Sequence, residues 1–138
     1  PRYLLLRCVR GCDDVLTPLL DGRALIAHVT LDILTRAIFR PRRPQDGAIA
    51  LRRLCERTDD RHRFRWDDVF LKPASKVGEL AHRHVREYLI DTEPMSVTLM
   101  RMGDTLLIDN WRMLHARSPI PSGREDRKIE RIYLRGIH

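Results

Sequence analysis

Near its start the chain carries one short apolar run, "YLLLRCV" (residues 3 to 9), bounded by Pro1 and Gly11. A run of that length, closed by a glycine, predicts a buried strand rather than a helix. The period then changes. In "DDVLTPLLDGRALIAHVTLDILTRAIF" (residues 13 to 39), Leu16, Leu19 and Leu20, then Leu25, Ile26 and Val29, then Leu31, Leu34 and Ile38 recur at three- and four-residue steps. That spacing predicts two short helices, with Thr17-Pro18 as cap and first turn.

Proline and glycine interrupt the pattern in "RPRRPQDG" (residues 40 to 47), which predicts a loop. The stretch from Ala48 to Phe70 is ambiguous: "AIALRRL" suits strand or helix, and "RTDDRHRFRWDD" is too charged for a core and reads as an exposed loop or strand edge. Beyond it, Val77, Leu80, Ala81, Val85, Tyr88 and Leu89 make one apolar stripe in "KVGELAHRHVREYL", with Ser75 placed to cap the helix.

From Met95 the period is two. "SVTLMRM", "TLLID" and "NWRMLHA" predict a meander of antiparallel strands turning at Gly103-Asp104 and Asp109-Asn110. The last segment, Arg127 to Gly136, admits two readings. As a strand it places Arg127, Ile129, Arg131, Tyr133 and Arg135 on one face. As a helix it uses Ser122 and Glu125 as a capping box and stacks Arg127, Arg131 and Arg135 at four-residue steps. The strand reading is preferred, because "RIYLRG" is rich in strand formers and follows three other strands.

These elements imply an α+β chain, mainly β, and 138 residues suffice for a single domain with a modest core. Starting at Pro1 inside an apolar run, without a preceding cap or turn, the sequence is expected to begin partway into a fold. The formal charge of +7 raises the question of a nucleic-acid or anionic-lipid partner. The arginines, however, are spread over the whole length among 19 carboxylates, and "RPRRP" at 40 to 44 has no aromatic platform interleaved with it. Neither nucleic acid nor membrane is therefore expected as a partner. Cys8, Cys12 and Cys55 are odd in number and form no C-x-x-C pair, so they predict free thiols in a reducing cytoplasm.

The residues left over for chemistry are near the C-terminus. His115 closes an apolar run, and Arg127 and Arg131 follow. Taken singly, these are a half-buried histidine and two surface charges. Taken together, "GDTLLIDN" (103 to 110), "HARSP" (115 to 119) and "DRKIERIYLR" (126 to 135) form an ordered set. The set resembles the C-terminal half of the iron(II)- and 2-oxoglutarate-dependent dioxygenases, in the clavaminate synthase-like branch that includes taurine dioxygenase and free amino-acid hydroxylases. "PRYLLLRCVRG" resembles, more weakly, the strand that closely follows that family's His-x-Asp/Glu motif.

The resemblance implies part of a double-stranded β-helix, of jelly-roll or cupin type, with flanking helices. Residues 1–138 would be the C-terminal part of such a barrel, truncated on its N-terminal side. It also implies Fe(II) as cofactor, 2-oxoglutarate and dioxygen as co-substrates, and hydroxylation of a free amino acid or similar small carboxylic or sulfonic acid. By the same resemblance His115 is the distal histidine of the iron site, Arg127 grips the far carboxylate of 2-oxoglutarate, and Arg131 meets the substrate's own acid group. The side-chain chemistry suits these roles, since a planar guanidinium holds a carboxylate by two parallel hydrogen bonds.

One element of the family pattern is missing. No histidine here is followed two residues later by an Asp or Glu. His82 and His84 form an H-x-H pair, but on a helix they point about 200° apart and cannot share a metal. Since one imidazole holds iron poorly, the chain as given is expected to be inactive alone, its remaining ligands lying upstream of Pro1. The competing reading is a catalytically inactive cupin-like barrel that binds an anionic ligand or a partner protein.

Overall fold

In the computed structural model the described residues are 1–43, 49–58 and 61–137. Strand β1 (Tyr3–Arg10) alternates as its sequence demands, burying Leu4, Leu6 and Cys8 while the residues between them face outward. The next run, Leu16–Asp21, is strand β2 and not the start of a helix. Its backbone pairs antiparallel with Met95–Thr98, so Thr17-Pro18 lies in mid-strand, and Thr17 is buried. Pro18 has no N–H to donate, but its carbonyl accepts from the Ala116 amide at 3.0 Å. The leucine spacing that suggested a helix is overridden by sheet pairing.

Helix α1 (Gly22–Val29) begins instead at Asp21, whose carboxylate accepts from the Arg23 amide at 3.0 Å. Helix α2 (Leu31–Arg36) follows, then strands β3 (Ile38–Pro41), β4 (Arg52–Arg53), β5 (Cys55–Arg57), β6 (His62–Phe64) and β7 (Leu71–Pro73). β3 therefore extends two residues into the segment expected to be loop; residues 44–47 of that segment lie outside the described residues. The charged stretch resolves into the antiparallel pair β5–β6, in which the Glu56 carboxylate binds Arg63 and Arg65. Helix α3 (Lys76–Asp91) is capped by Ser75, whose hydroxyl accepts from the Gly78 amide at 3.0 Å.

Strands β8 (Met95–Thr98), β9 (Thr105–Asp109), β10 (Met113–His115) and β11 (Lys128–Leu134) complete the chain. They occur where the period-two pattern placed them, and Gly103 makes its turn with φ of +94°. They do not form a meander. Two three-stranded sheets form, in the orders β11-β1-β9 and β10-β2-β8, so successive strands belong to different sheets. Alternation of side chains specifies faces, not hydrogen-bonding partners, and β1 and β2 from the N-terminal end take the central places.

By contacts the chain divides into two compact units, residues 1–20 with 94–138, and residues 21–93. In the first unit, Leu4, Leu6, Cys8 and Ile108 from one sheet and Leu19 from the other meet Leu99 in one core, with Val97, Leu106, Met113 and Ile129 packed against it. Two sheets sharing inner-face side chains in this way form a sandwich-like wall pair. In the second unit the largest fully buried side chains include Phe39, Leu25, Leu34 and Leu54. Among the described residues no helix is long and apolar enough to cross a membrane.

Candidate active site

The three residues singled out by sequence fall in the first unit, His115 and Arg131 on different sheets and Arg127 in the turn before β11. His115 is the last residue of β10. Past it the chain stays tied to β2: the Ala116 amide donates to Pro18 O at 3.0 Å, the Ser118 amide to Leu16 O at 3.1 Å, and the Leu16 amide to Ser118 Oγ at 2.8 Å. These bonds on the C-terminal side of His115 hold the backbone that carries it.

Arg131 is placed by register. On β1 it stands opposite Leu6, and Ile129 stands opposite Cys8, so both share the face on which β1 buries its side chains. The strand reading of the last segment therefore holds. Arg127 precedes β11 at the foot of the same strand, where its amide closes a turn onto Arg124 O at 3.1 Å. The Arg127 side chain is half-buried, and its Nε is buried without a hydrogen-bond partner.

A cavity of about 400 Å³ brings His115, Arg127 and Arg131 together. Leu4, Leu6 and Ile129 contribute apolar lining, and no Asp or Glu lines it. Arg2, Arg7 and Arg10 of the same unit have carboxylates beside them, Asp109 at 3.6 Å, Glu130 at 3.7 Å and Asp126 at 3.2 Å. Among the described residues Arg117, Arg127 and Arg131, all on the cavity wall, have no such partner. Guanidinium groups without carboxylate partners, one of them with a buried unpartnered donor, have hydrogen-bonding capacity that an anion could take up.

Nearby thiols report the same charge. Burial pushes the Cys8 thiol above its ordinary value, Asp104 adds to the rise and Arg127 opposes it. Burial also raises Cys12, helped by its hydrogen bond to Asp14, and again Arg127 opposes. The guanidinium thus lies close enough to β1 and the turn after it to act on both.

Two lining residues carried no assignment from sequence. Thr17, which the leucine spacing makes a helix cap, is buried beside the cavity because β2 is a strand. Arg117 stood in the quoted "HARSP" stretch, and its signal was its place two residues after His115. Of the H-x-H pair, His82 is engaged elsewhere: its Nε2 lies 2.7 Å from Asp68 Oδ1, and its ring centroid lies 5.4 Å from that of Trp66, tilted by 34°. Among the described residues no group of three or more His, Cys, Asp or Glu side chains is arranged to hold a metal. The cavity as built thus suits the carboxylate ends of small acids, whereas iron has only one imidazole among these residues.

No protein-family model matches the chain. Comparison with solved structures finds the fold of the non-haem iron oxygenases. An asparagine oxygenase in complex with Fe(II), 2S,3S-3-hydroxyasparagine and succinate superposes with a TM-score of 0.75 at 19% identity, covering 95% of this chain and 44% of that one. The non-heme iron oxygenase OrfP, in complex with Fe and alpha-ketoglutaric acid, superposes with a TM-score of 0.67 at 24% identity, over 94% of this chain and 43% of that one. In sequence, clavaminate synthase 2 of Streptomyces clavuligerus is 30% identical over 151 aligned positions, 98% of this chain and 46% of that protein. In sequence the chain thus resembles part of a clavaminate synthase, and in fold part of the iron oxygenases. It spans about half the length of the relatives it matches.

Proposed function

We propose that this chain forms part of an iron(II)- and 2-oxoglutarate-dependent oxygenase that hydroxylates a free amino acid or a similar small carboxylic or sulfonic acid. The observation that carries the reading is the cavity shared by His115, Arg127 and Arg131, with Arg127 Nε buried and unpartnered. A dianionic keto acid answers that orphaned donor. Arg127 would hold its far carboxylate through two parallel charge-assisted hydrogen bonds, and the Thr17 side chain lies on the same wall. Arg131, solvent-exposed but on the same strand face as Ile129 and on the cavity wall, would hold the acid group of the substrate. When bound, 2-oxoglutarate would supply two of the four electrons that reduce dioxygen, through its own oxidative decarboxylation, and the hydroxylated substrate the other two.

His115 is assigned as one iron ligand. Iron(II) in such sites takes three protein donors on one face, and the other two are proposed to come from outside the described residues, in a segment preceding Pro1. The two three-stranded sheets are then read as facing walls of a double-stranded β-helix. The small-molecule acid and dioxygen are the partners, and the three buried, unpaired cysteines suit a reducing cytoplasm.

The incomplete metal set favours a second reading, a catalytically inactive barrel that binds an anion through the same arginines. The experiment measures iron content and 2-oxoglutarate consumption in the full-length protein. Bound iron lost in His115→Ala, and a 2-oxoglutarate requirement raised at least tenfold in Arg127→Ala, are expected from the loss of a charge-assisted pair. Anion binding without iron supports the inactive barrel. An unchanged keto-acid requirement in Arg127→Ala refutes the role given to that residue.

A further inference from the structure

The turn that ends in Arg127 is itself held by charge on both sides. Arg124, whose carbonyl accepts from the Arg127 amide, donates from Nε to Asp14 Oδ2 at 3.1 Å and places Nη2 3.8 Å from Asp13 Oδ1. Asp126, the residue just before Arg127, accepts from Arg10 Nη1 at 3.2 Å. Both pairs reach back more than a hundred residues, to the end of β1 and the connection that follows it. Their polarities are crossed: Arg124 meets acidic residues and Asp126 meets a basic one. Only one alignment of the turn satisfies both.

The base of this arrangement is fixed by packing. At Gly11, between Arg10 and Asp13, a Cβ atom would lie 2.3 Å from the Met100 carbonyl oxygen, so the connection sits hard against the chain at residues 99–100. Desolvation works to raise the Asp14 carboxyl, but hydrogen bonds from Arg124 and Cys12 and the charge of Arg124 outweigh it, leaving Asp14 below the ordinary range. The pair is therefore ionised at neutral pH.

We propose that Arg124 with Asp13 and Asp14, and Arg10 with Asp126, form a two-sided ionic clamp that positions Arg127 in the cavity, making Asp14 and Arg124 positioning residues for the keto acid. The proposal rests on Arg127 being the co-substrate anchor. Neither residue lines the cavity, so their effect passes through the turn. A side chain shifted by a fraction of its hydrogen-bond length loses the parallel geometry on which a bidentate contact depends.

The test titrates 2-oxoglutarate calorimetrically into the full-length protein with iron(II), without oxygen so that no turnover occurs. Asp14→Asn and Arg124→Met are each expected to raise Kd about three- to tenfold, the scale of one or two exposed ion pairs. In an Asp13→Asn background, which removes the second carboxylate facing residue 124, the charge-reversed double variant, Asp14→Arg with Arg124→Asp, is expected to return Kd to within about twofold of Asp13→Asn alone, which a general loss of structure would not do. Arg124→Lys, which keeps the charge but not the fork, should fall between. Single variants that bind as the parent does, while Arg127→Met binds weakly, overturn the clamp and leave the anchor standing. Weakened single variants that the double does not restore also overturn it. Arg127→Met binding as the parent does overturns the anchor, and the clamp with it.

Discussion

Arg127→Met separates the two things this arginine does, and the expected signs are opposite. In the ligand-free protein the Arg127 Nε is buried with no hydrogen-bond partner. An unsatisfied buried donor costs about 1–3 kcal/mol, and a methionine of similar reach removes that cost while filling the same space. Some stem packing is retained, so the variant should be as stable as the parent without ligand, or more stable by up to about 1 kcal/mol. With 2-oxoglutarate the balance reverses. Losing hydrogen bonds to a charged partner is worth about 1.5–3 kcal/mol, hence about ten- to 150-fold in Kd. Urea unfolding of the full-length protein at graded keto-acid concentrations reads both numbers, because a ligand specific to the folded state stabilises it as RT ln(1 + [L]/Kd). The variant's curve should begin level with or above the parent's and rise only at concentrations one to two decades higher. A ligand-free destabilisation beyond about 2 kcal/mol would show that Arg127 is a structural ion with a partner of its own. An unshifted ligand dependence would remove it from the keto-acid site.

Three further outcomes test the scaffold around the site. Ile108→Ala, in the core that residues of both sheets build, should cost about 2–5 kcal/mol in denaturant unfolding, since Ile108 is buried in it. Ser75→Ala should cost about 1 kcal/mol, because it removes the acceptor for the Gly78 amide at the start of α3; an unchanged midpoint would mean that backbone or water replaces the cap. Cys55, fully buried, has its thiol pushed up from 9.0 to about 11 by desolvation and by the nearby Glu56. The folded state thus holds the proton more tightly than the unfolded chain. This contribution to stability is complete below about pH 9 and lost as pH rises to about 11, by up to about 3 kcal/mol. Cys55→Ala should flatten that part of the stability profile.

The family resemblance of "HARSP" and "DRKIERIYLR" pointed to His115, Arg127 and Arg131, and the alternation in "KIERIYLR" put Ile129 and Arg131 on one face, where the pairing with Cys8 and Leu6 finds them. Ser75 and its stripe located α3 because a helix cap is a local interaction, complete within four residues. The errors arose where local patterns are ambiguous. Leucines at 16, 19 and 20 suit a helix as well as a twisted strand, and only the partner at Met95–Thr98 decides between them. Thr17 was lost to the site through that same misreading.

What the sequence determined by itself is therefore whatever depends on neighbours within a turn or two: the strand faces, the α3 cap, the Gly103 turn, and the identity of the cationic side chains before and along β11. The tertiary structure alone decided which strands pair. It sent β8, β9 and β10 to different sheets and set β1 and β2 in the centres, and it gathered His115 and the arginines around one cavity with no carboxylate on its wall. The physical reason is that a strand's hydrogen bonds are satisfied by any suitable edge. The choice among edges is made by burial of the whole inner face, contributed by residues more than ninety positions apart, such as Cys8 and Leu99.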